Sequence, residues 1–134
     1  MATPAGRVLL AEDNADLRAL LQISLSAEGH EVVSVASGLE LISCFLTCPF
    51  VDVVISDVRM PELNGLEVLE RFRCVDANTP FILITAFGNR SLHEEAHRLG
   101  ASAVLDKPFD PDELGALVRR LVSPRRWEGS SIGK

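Results

Sequence analysis

No stretch of this 134-residue chain approaches the ~18 consecutive apolar residues that a bilayer-spanning helix needs. The opening segment, Met1-Ala2-Thr3-Pro4-Ala5-Gly6-Arg7, has no hydrophobic signal-peptide region. The expectation is a cytoplasmic protein with no membrane partner. Cysteines are scarce: Cys44, Cys48 and Cys74, an odd number with no C-x-x-C pair. That points away from a disulfide framework or a zinc site and toward reduced thiols used as small packing residues. Basic residues do not outnumber acidic ones; 13 stand against 19, for a net charge of −6 and a pI near 5.0. This balance argues against direct nucleic-acid binding by the domain body. Arg119, Arg120, Arg125 and Arg126 do cluster, but a helix C-terminus favours such charges without any nucleic acid. Repeats and low-complexity tracts are absent as well.

What remains is an ordinary globular balance, 47% hydrophobic and 24% charged, over a length that makes one domain with its own core. Short apolar runs predict strands over 7–11, 31–35, 52–56, 81–84 and 103–105. Runs such as 53–55 and 81–84 are continuous rather than alternating, as in strands covered on both faces of a parallel sheet. Helix starts are legible between them. Asn14 opens a first helix with Leu17, Leu20, Leu21 and Leu25 on one stripe. Ser37 with Glu40, Asn64 with Glu67, and Ser91 with Glu94 read as capping pairs. Asp110-Pro111-Asp112-Glu113 supplies a cap, a proline at the first helical position and acids in the first turn. Gly29, Pro49 and Gly100 read as stops. Gly115 interrupts the last helix at ~1 kcal/mol relative to alanine, which predicts close packing there. The pattern is a single doubly wound (βα)5 domain of the α/β class. After about Val122 the periodicity ends. Residues 1–123 are expected to form the domain and 124–134, with Trp127, a tail or the start of a linker.

Four apolar runs end in polar residues: Val8-Leu9-Leu10-Ala11 in Glu12-Asp13, Val53-Val54-Ile55-Ser56 in Asp57, 81–84 in Thr85, and 103–105 in Asp106-Lys107-Pro108. Strand C-termini of an open parallel sheet face one crevice, so the acids, the hydroxyl and the amine should meet there. Two like charges ~4 Å apart cost ~4 kcal/mol at an effective dielectric of about 20. Such a cluster wants a cation, and carboxylate oxygens suit Mg2+. Lys107 stands out because eleven of the thirteen basic residues are arginine and the other lysine is terminal Lys134. A compact ammonium makes a point-charge contact with phosphate or carboxylate. Thr85 beside small Ala86 offers an anion a hydroxyl and a backbone N–H.

In their order and placement, Glu12-Asp13, Asp57 within Asp57-Val58-Arg59-Met60-Pro61, Gly65, Thr85-Ala86 and Lys107-Pro108-Phe109 resemble the receiver domain of two-component response regulators, the chemotaxis-regulator-like kind, over about residues 7–122. The resemblance implies a flavodoxin-like sheet in the order 2-1-3-4-5. It implies that Asp57 accepts a phosphoryl group from a sensor histidine kinase or a histidine phosphotransfer protein. Mg2+ would be held by Asp13 and Asp57, by the Arg59 backbone carbonyl, and by Glu12 largely through water. Thr85, the Ala86 N–H and Lys107 would bind phosphoryl oxygens, and the Lys107-Pro108 bond would be cis. The chain would catalyse only its own phosphotransfer and dephosphorylation and would act as a switch, with Thr85, Val104 and Pro108 at the switching positions. The responding face would be the fourth helix, fifth strand and fifth helix, through which a homodimer can form. Many members carry an aromatic residue where Val104 stands, and this chain has no tyrosine at all. That turns the expected route from an aromatic relay toward loop rearrangement or dimerisation. Arg59 and Phe87 flank the cleft and are expected to tune phosphorylation rates.

Other functions fit less well. An aspartate-nucleophile phosphatase of the haloacid dehalogenase type needs a second aspartate two residues after the first, where this chain has Arg59. A flavodoxin needs a Ser/Thr/Gly-rich phosphate loop after the first strand, where Glu12-Asp13-Asn14-Ala15-Asp16 would repel phosphate. A receiver-like interaction module working without phosphorylation is the remaining alternative. His93 and His97 lie four apart, but no third metal ligand accompanies them. They read as surface residues, and His30 is the remaining imidazole.

Overall fold

Continuous apolar runs can be buried on both faces only if helices cover both sides of the sheet, and that is the arrangement found. The structure, a computed structural model, describes residues 6–47 and 50–132, with side chains through Val122. Cys48, Pro49 and the side chains of Arg125, Arg126 and Trp127 lie outside the described set. Among the described residues, five strands alternate with five helices: β1 (Arg7–Ala11), α1 (Ala15–Ala27), β2 (Glu31–Val35), α2 (Gly38–Thr47), β3 (Val53–Asp57), α3 (Gly65–Val75), β4 (Phe81–Thr85), α4 (Arg90–Arg98), β5 (Ala103–Asp106) and α5 (Pro111–Ile132). All strand pairs are parallel, in the order β2-β1-β3-β4-β5. The flavodoxin-like expectation is met, with β3, β4 and β5 each one residue longer at the C-terminal end than their apolar runs. Asp57, Thr85 and Asp106 therefore belong to the strands themselves.

Side-chain alternation along each strand divides the core in two. Leu9, Ala11, Val54, Phe81 and Leu83 pack with Leu41, Val68, Leu69, Phe72 and Ala96 beneath α2, α3 and α4. Val8, Leu10, Val53, Ile55, Ile82 and Ile84 pack with Leu21, Leu25, Leu114, Val118 and Val122 of α1 and α5. Leu20, expected on the buried stripe of α1, is 49% exposed. It sits about 100° of helical rotation from Leu21, at the edge of a stripe that Leu21 and Leu25 already fill.

The caps decide where each helix starts. Asn14 accepts from the Leu17 N–H, and Asn64 with Glu67 closes a reciprocal capping box. Ser37 accepts from the Glu40 N–H, while Glu40 reaches past the cap to the Ala36 N–H. For α4 the cap is Asn89, not Ser91. Both residue types cap well, and Asn89 wins because Arg90 and Ser91 are already helical. Gly29 and Gly100 follow helices at φ 95° and 103°, the left-handed conformation that glycine adopts most easily. The α5 backbone stays helical to Ile132, whereas the apolar period stops near Val122. Apolar period reports a face to bury, not helicity itself, so a helix with no such face carries no period.

Candidate functional site

The C-terminal ends of β1, β3, β4 and β5 bring the predicted residues together. Glu12 follows Ala11 at the end of β1 and is fully buried; Asp57, the last residue of β3, is 4% exposed. Asp13 is exposed beside them, and ligand oxygens of Glu12, Asp13 and Asp57 lie within 4.8 Å of one another. An open groove lined by Asp13, Val58, Arg59, Met60, Pro61 and Asn64 adjoins the cluster. Gly65 brings α3 against the strand that carries Asp57: a Cβ there would lie 2.4 Å from the Asp57 carbonyl oxygen. The Gly65 N–H donates to the Val58 carbonyl at 2.8 Å.

Lys107 reaches into the cluster from the residue after β5. Its Nζ donates to Asp57 Oδ2 at 2.6 Å and to Glu12 Oε1 at 3.2 Å. The other Asp57 oxygen, Oδ1, accepts from the Arg59 N–H at 3.1 Å. Burial is the largest influence on Glu12 and pushes its pKa up to about 7; the Asn14 N–H opposes this, the Asp57 charge adds to it, and Lys107 opposes it. For Lys107, burial pulls the pKa down, but hydrogen bonds and charge from Asp57 and Glu12 outweigh it and hold the ammonium above the usual lysine value. Among the described residues, Lys107 thus pairs with two of three clustered carboxyl groups. The donor set is all oxygen, anionic and crowded, which fits a hard divalent cation that keeps several waters.

Thr85 is 1% exposed, and its hydroxyl accepts from the Phe87 N–H at 3.1 Å. The Thr85 carbonyl accepts from the Lys107 N–H at 2.7 Å, so β4 and the amine-bearing residue are tied directly. Ala86 is exposed at the loop start, and the Lys107-Pro108 bond is cis. Arg59 and Phe87, named from sequence as flanking residues, meet across the cleft with the guanidinium carbon 4.8 Å from the ring centroid. Val104 is half-buried and packs against the α2–α4 side of the core. His97 is exposed, and His93 is half-buried against Asp106 rather than gripping a metal.

Two contributors escaped sequence reasoning. Arg18, one turn after the Asn14 cap, donates from Nη1 to the Glu12 carbonyl at 2.8 Å and braces the acid loop. Its signal was only a basic residue four positions after the loop asparagine, indistinguishable from a surface charge. Asp106 was noted merely as part of a polar strand end.

A family model for the response regulator receiver domain matches residues 8–119. Sporulation initiation phosphotransferase F of Bacillus subtilis is 32% identical over 87% of this chain and 93% of its own length. The regulatory protein AtoC of Escherichia coli is 35% identical over 90% of this chain, which spans only 26% of that relative. Among solved structures, the chemotaxis response regulator CheY4 of Vibrio cholerae superposes with a TM-score of 0.82 at 30% identity, covering 88% of this chain and 99% of the other. Sequence, topology and the cluster at the strand ends agree, and the chain belongs to the receiver domain family of response regulators, the signalling domains of two-component systems.

Proposed function

We propose that Asp57 is the phosphoryl acceptor of a Mg2+-dependent receiver switch charged by a histidine kinase or histidine phosphotransfer protein. The observation that carries this reading is the contact of a nearly buried Asp57 with Lys107 at 2.6 Å inside a cluster of acids. For stability alone a second buried acid at the same lysine is a cost, since it adds like charge beside Asp57. A carboxylate oxygen of Asp57 attacks phosphorus, the bond from phosphorus to the donor imidazole nitrogen breaks, and an acyl phosphate forms while the imidazole departs. Lys107 supports charge on the transferring group, and the Thr85 hydroxyl and Ala86 N–H receive its oxygens in this reading. Asp13, Asp57 and the Arg59 carbonyl, with Glu12 through water, would hold Mg2+, which when bound neutralises phosphoryl and carboxylate charge.

Thr85 supplies the switch. Its hydroxyl engages the Phe87 N–H in this structure; turning toward a phosphoryl oxygen releases that amide and lets the loop rearrange. The responding face is α4, β5 and α5, where a homodimer or an effector can dock. Residues 1–123 form the switching unit in this reading, and the process controlled depends on what that face engages.

Intact-mass measurement after incubation with acetyl phosphate and Mg2+ tests the proposal. One phosphoryl adduct is expected on the wild-type protein and none on Asp57→Asn. An adduct that survives Asp57→Asn would sink the acceptor assignment, as would no wild-type adduct where a control receiver is labelled.

A further inference from the structure

We propose that Asp106 and His93 are positioning residues for this reaction, holding the β4–α4 loop in the arrangement that precedes phosphorylation. The proposal rests on the receiver reading above and gives this chain a coupling route at a place where it has no aromatic side chain. Asp106 is the register partner of Thr85 and directly precedes Lys107, so its backbone lies between two residues of the acceptor site. Its side chain reaches α4. Oδ1 accepts from His93 Nε2 on α4 at 3.1 Å, a contact that becomes an ion pair when the ring is protonated.

Gly88 explains how the contact is possible. A Cβ at Gly88 would lie 1.8 Å from Asp106 Oδ1 and 3.1 Å from His93 Nε2. Gly88 has no left-handed φ, so the glycine is there for space and not for backbone conformation. The carboxylate fills the volume that any other side chain would take. The loop of residues 86–89 is therefore fastened at three places: the Phe87 N–H on the Thr85 hydroxyl, Gly88 against Asp106, and Asn89 capping α4. A Thr85 hydroxyl drawn to a phosphoryl group gives up the first fastening, and the backbone at Gly88 cannot close on Asp106 without displacing its carboxylate from His93. The acceptor site and α4 are thus linked through one carboxylate. Val104, half-buried against apolar neighbours, offers no comparable polar connection.

Linkage then sets the direction. A contact that holds the unphosphorylated arrangement opposes a ligand that prefers the other one, and removing it strengthens that ligand's binding. Beryllofluoride with Mg2+, a phosphoryl mimic, is the probe, followed by amide NMR on the full chain. His93→Ala is expected to raise beryllofluoride affinity by about threefold or more. It should also shift amides of residues 86–98 in the unligated protein toward their ligand-bound positions. Gly88→Ala should do the same by forcing the carboxylate aside, and Asp106→Asn serves in its place if that variant does not fold. His93→Gln, which keeps an N–H donor, should recover part of the wild-type behaviour. Affinities within about 1.5-fold of wild type and unmoved unligated spectra in both His93→Ala and the loop variant would overturn the positioning role while leaving Asp57 chemistry intact. A wild-type protein that takes up no beryllofluoride overturns both this role and the phosphorylation reading.

Discussion

The two ends of the sheet treat buried polar groups in opposite ways. At the C-terminal end, Glu12, Asp13 and Asp57 crowd like charges around one lysine. At the N-terminal end, polar groups are used as fasteners. Arg73 donates to the carbonyls of Gly100, Asp76 and Thr79, joining α3, the start of β4 and the turn after α4. Asp52 accepts from the Arg7 N–H at 2.7 Å, and Asp76 gathers two N–H groups and the Thr79 hydroxyl. Burial raises the Asp76 pKa, but these donors and Arg73 outweigh it and hold the value below the usual carboxylate range. His30 is 8% exposed; its Nδ1 accepts from the Gly6 N–H while Nε2 has no partner among the described residues. One end is built for strength, and the other leaves like charges crowded where ligands of an open parallel sheet bind.

The comparison can be broken at its strong end first. Arg73→Ala is expected to lower unfolding free energy by about 3 kcal/mol, because part-buried carbonyls lose charged donors. Urea denaturation checks the size. Phosphodonor labelling of the folded fraction should persist, and a loss of labelling without a loss of stability would contradict the division of labour.

The crowded end should respond with the other sign. Glu12 has a folded-state pKa of about 7, above its ordinary 4.5, so the fold holds that proton more tightly than the unfolded chain. Its stabilisation is complete below pH 4.5 and gone above about pH 7. Glu12→Gln should therefore stabilise the metal-free protein at pH 8 by about 2 kcal/mol and have little effect at pH 4.5. Mg2+ should raise the wild-type melting temperature more at pH 8 than at pH 5, and less in Glu12→Gln. Equal Mg2+ shifts at both pH values would argue against cation relief of this cluster.

A smaller effect separates the ends by pH alone. His30 has its pKa lowered from 6.5 chiefly by burial, so its stabilisation is present above pH 6.5 and lost as pH falls through the folded value. This slope opposes that of Glu12. His30→Asn, which can still accept from Gly6, should flatten the acid side of the melting profile and leave the alkaline side alone. The smallest change expected is Gly115→Ala. A Cβ there would meet the Glu28 carboxylate at 2.4 Å, and Glu28 pairs with Arg119. The helix gain of ~1 kcal/mol should be largely offset, leaving a net change within about 1 kcal/mol by thermal melts.

What sequence conveyed follows the same divide. Asp57, Thr85 and Lys107 were legible because each ends or follows an apolar run, and a parallel sheet collects such ends in one place. Asn14, Asn64 and Asp110 were legible because capping is local chemistry. Arg73, Arg18 and the Asp106–His93 pair were not, since each acts on a carbonyl or side chain that only the folded topology brings near. Gly115 announced close packing but not its partner, which lies 87 residues away in Glu28 by subtraction of their positions. Leu20 was misread because helical spacing marks a stripe without marking its edge.

The sheet also works as a partition. Strand alternation sends neighbouring residues such as Leu9 and Leu10, or Val54 and Ile55, into separate compartments. Volume changes beneath α1 and α5 should then add independently to those beneath α2, α3 and α4. The layer facing α1 and α5 can be repacked extensively while the compartment beneath α2, α3 and α4 keeps its native fit, which makes this chain a scaffold with one half open to redesign.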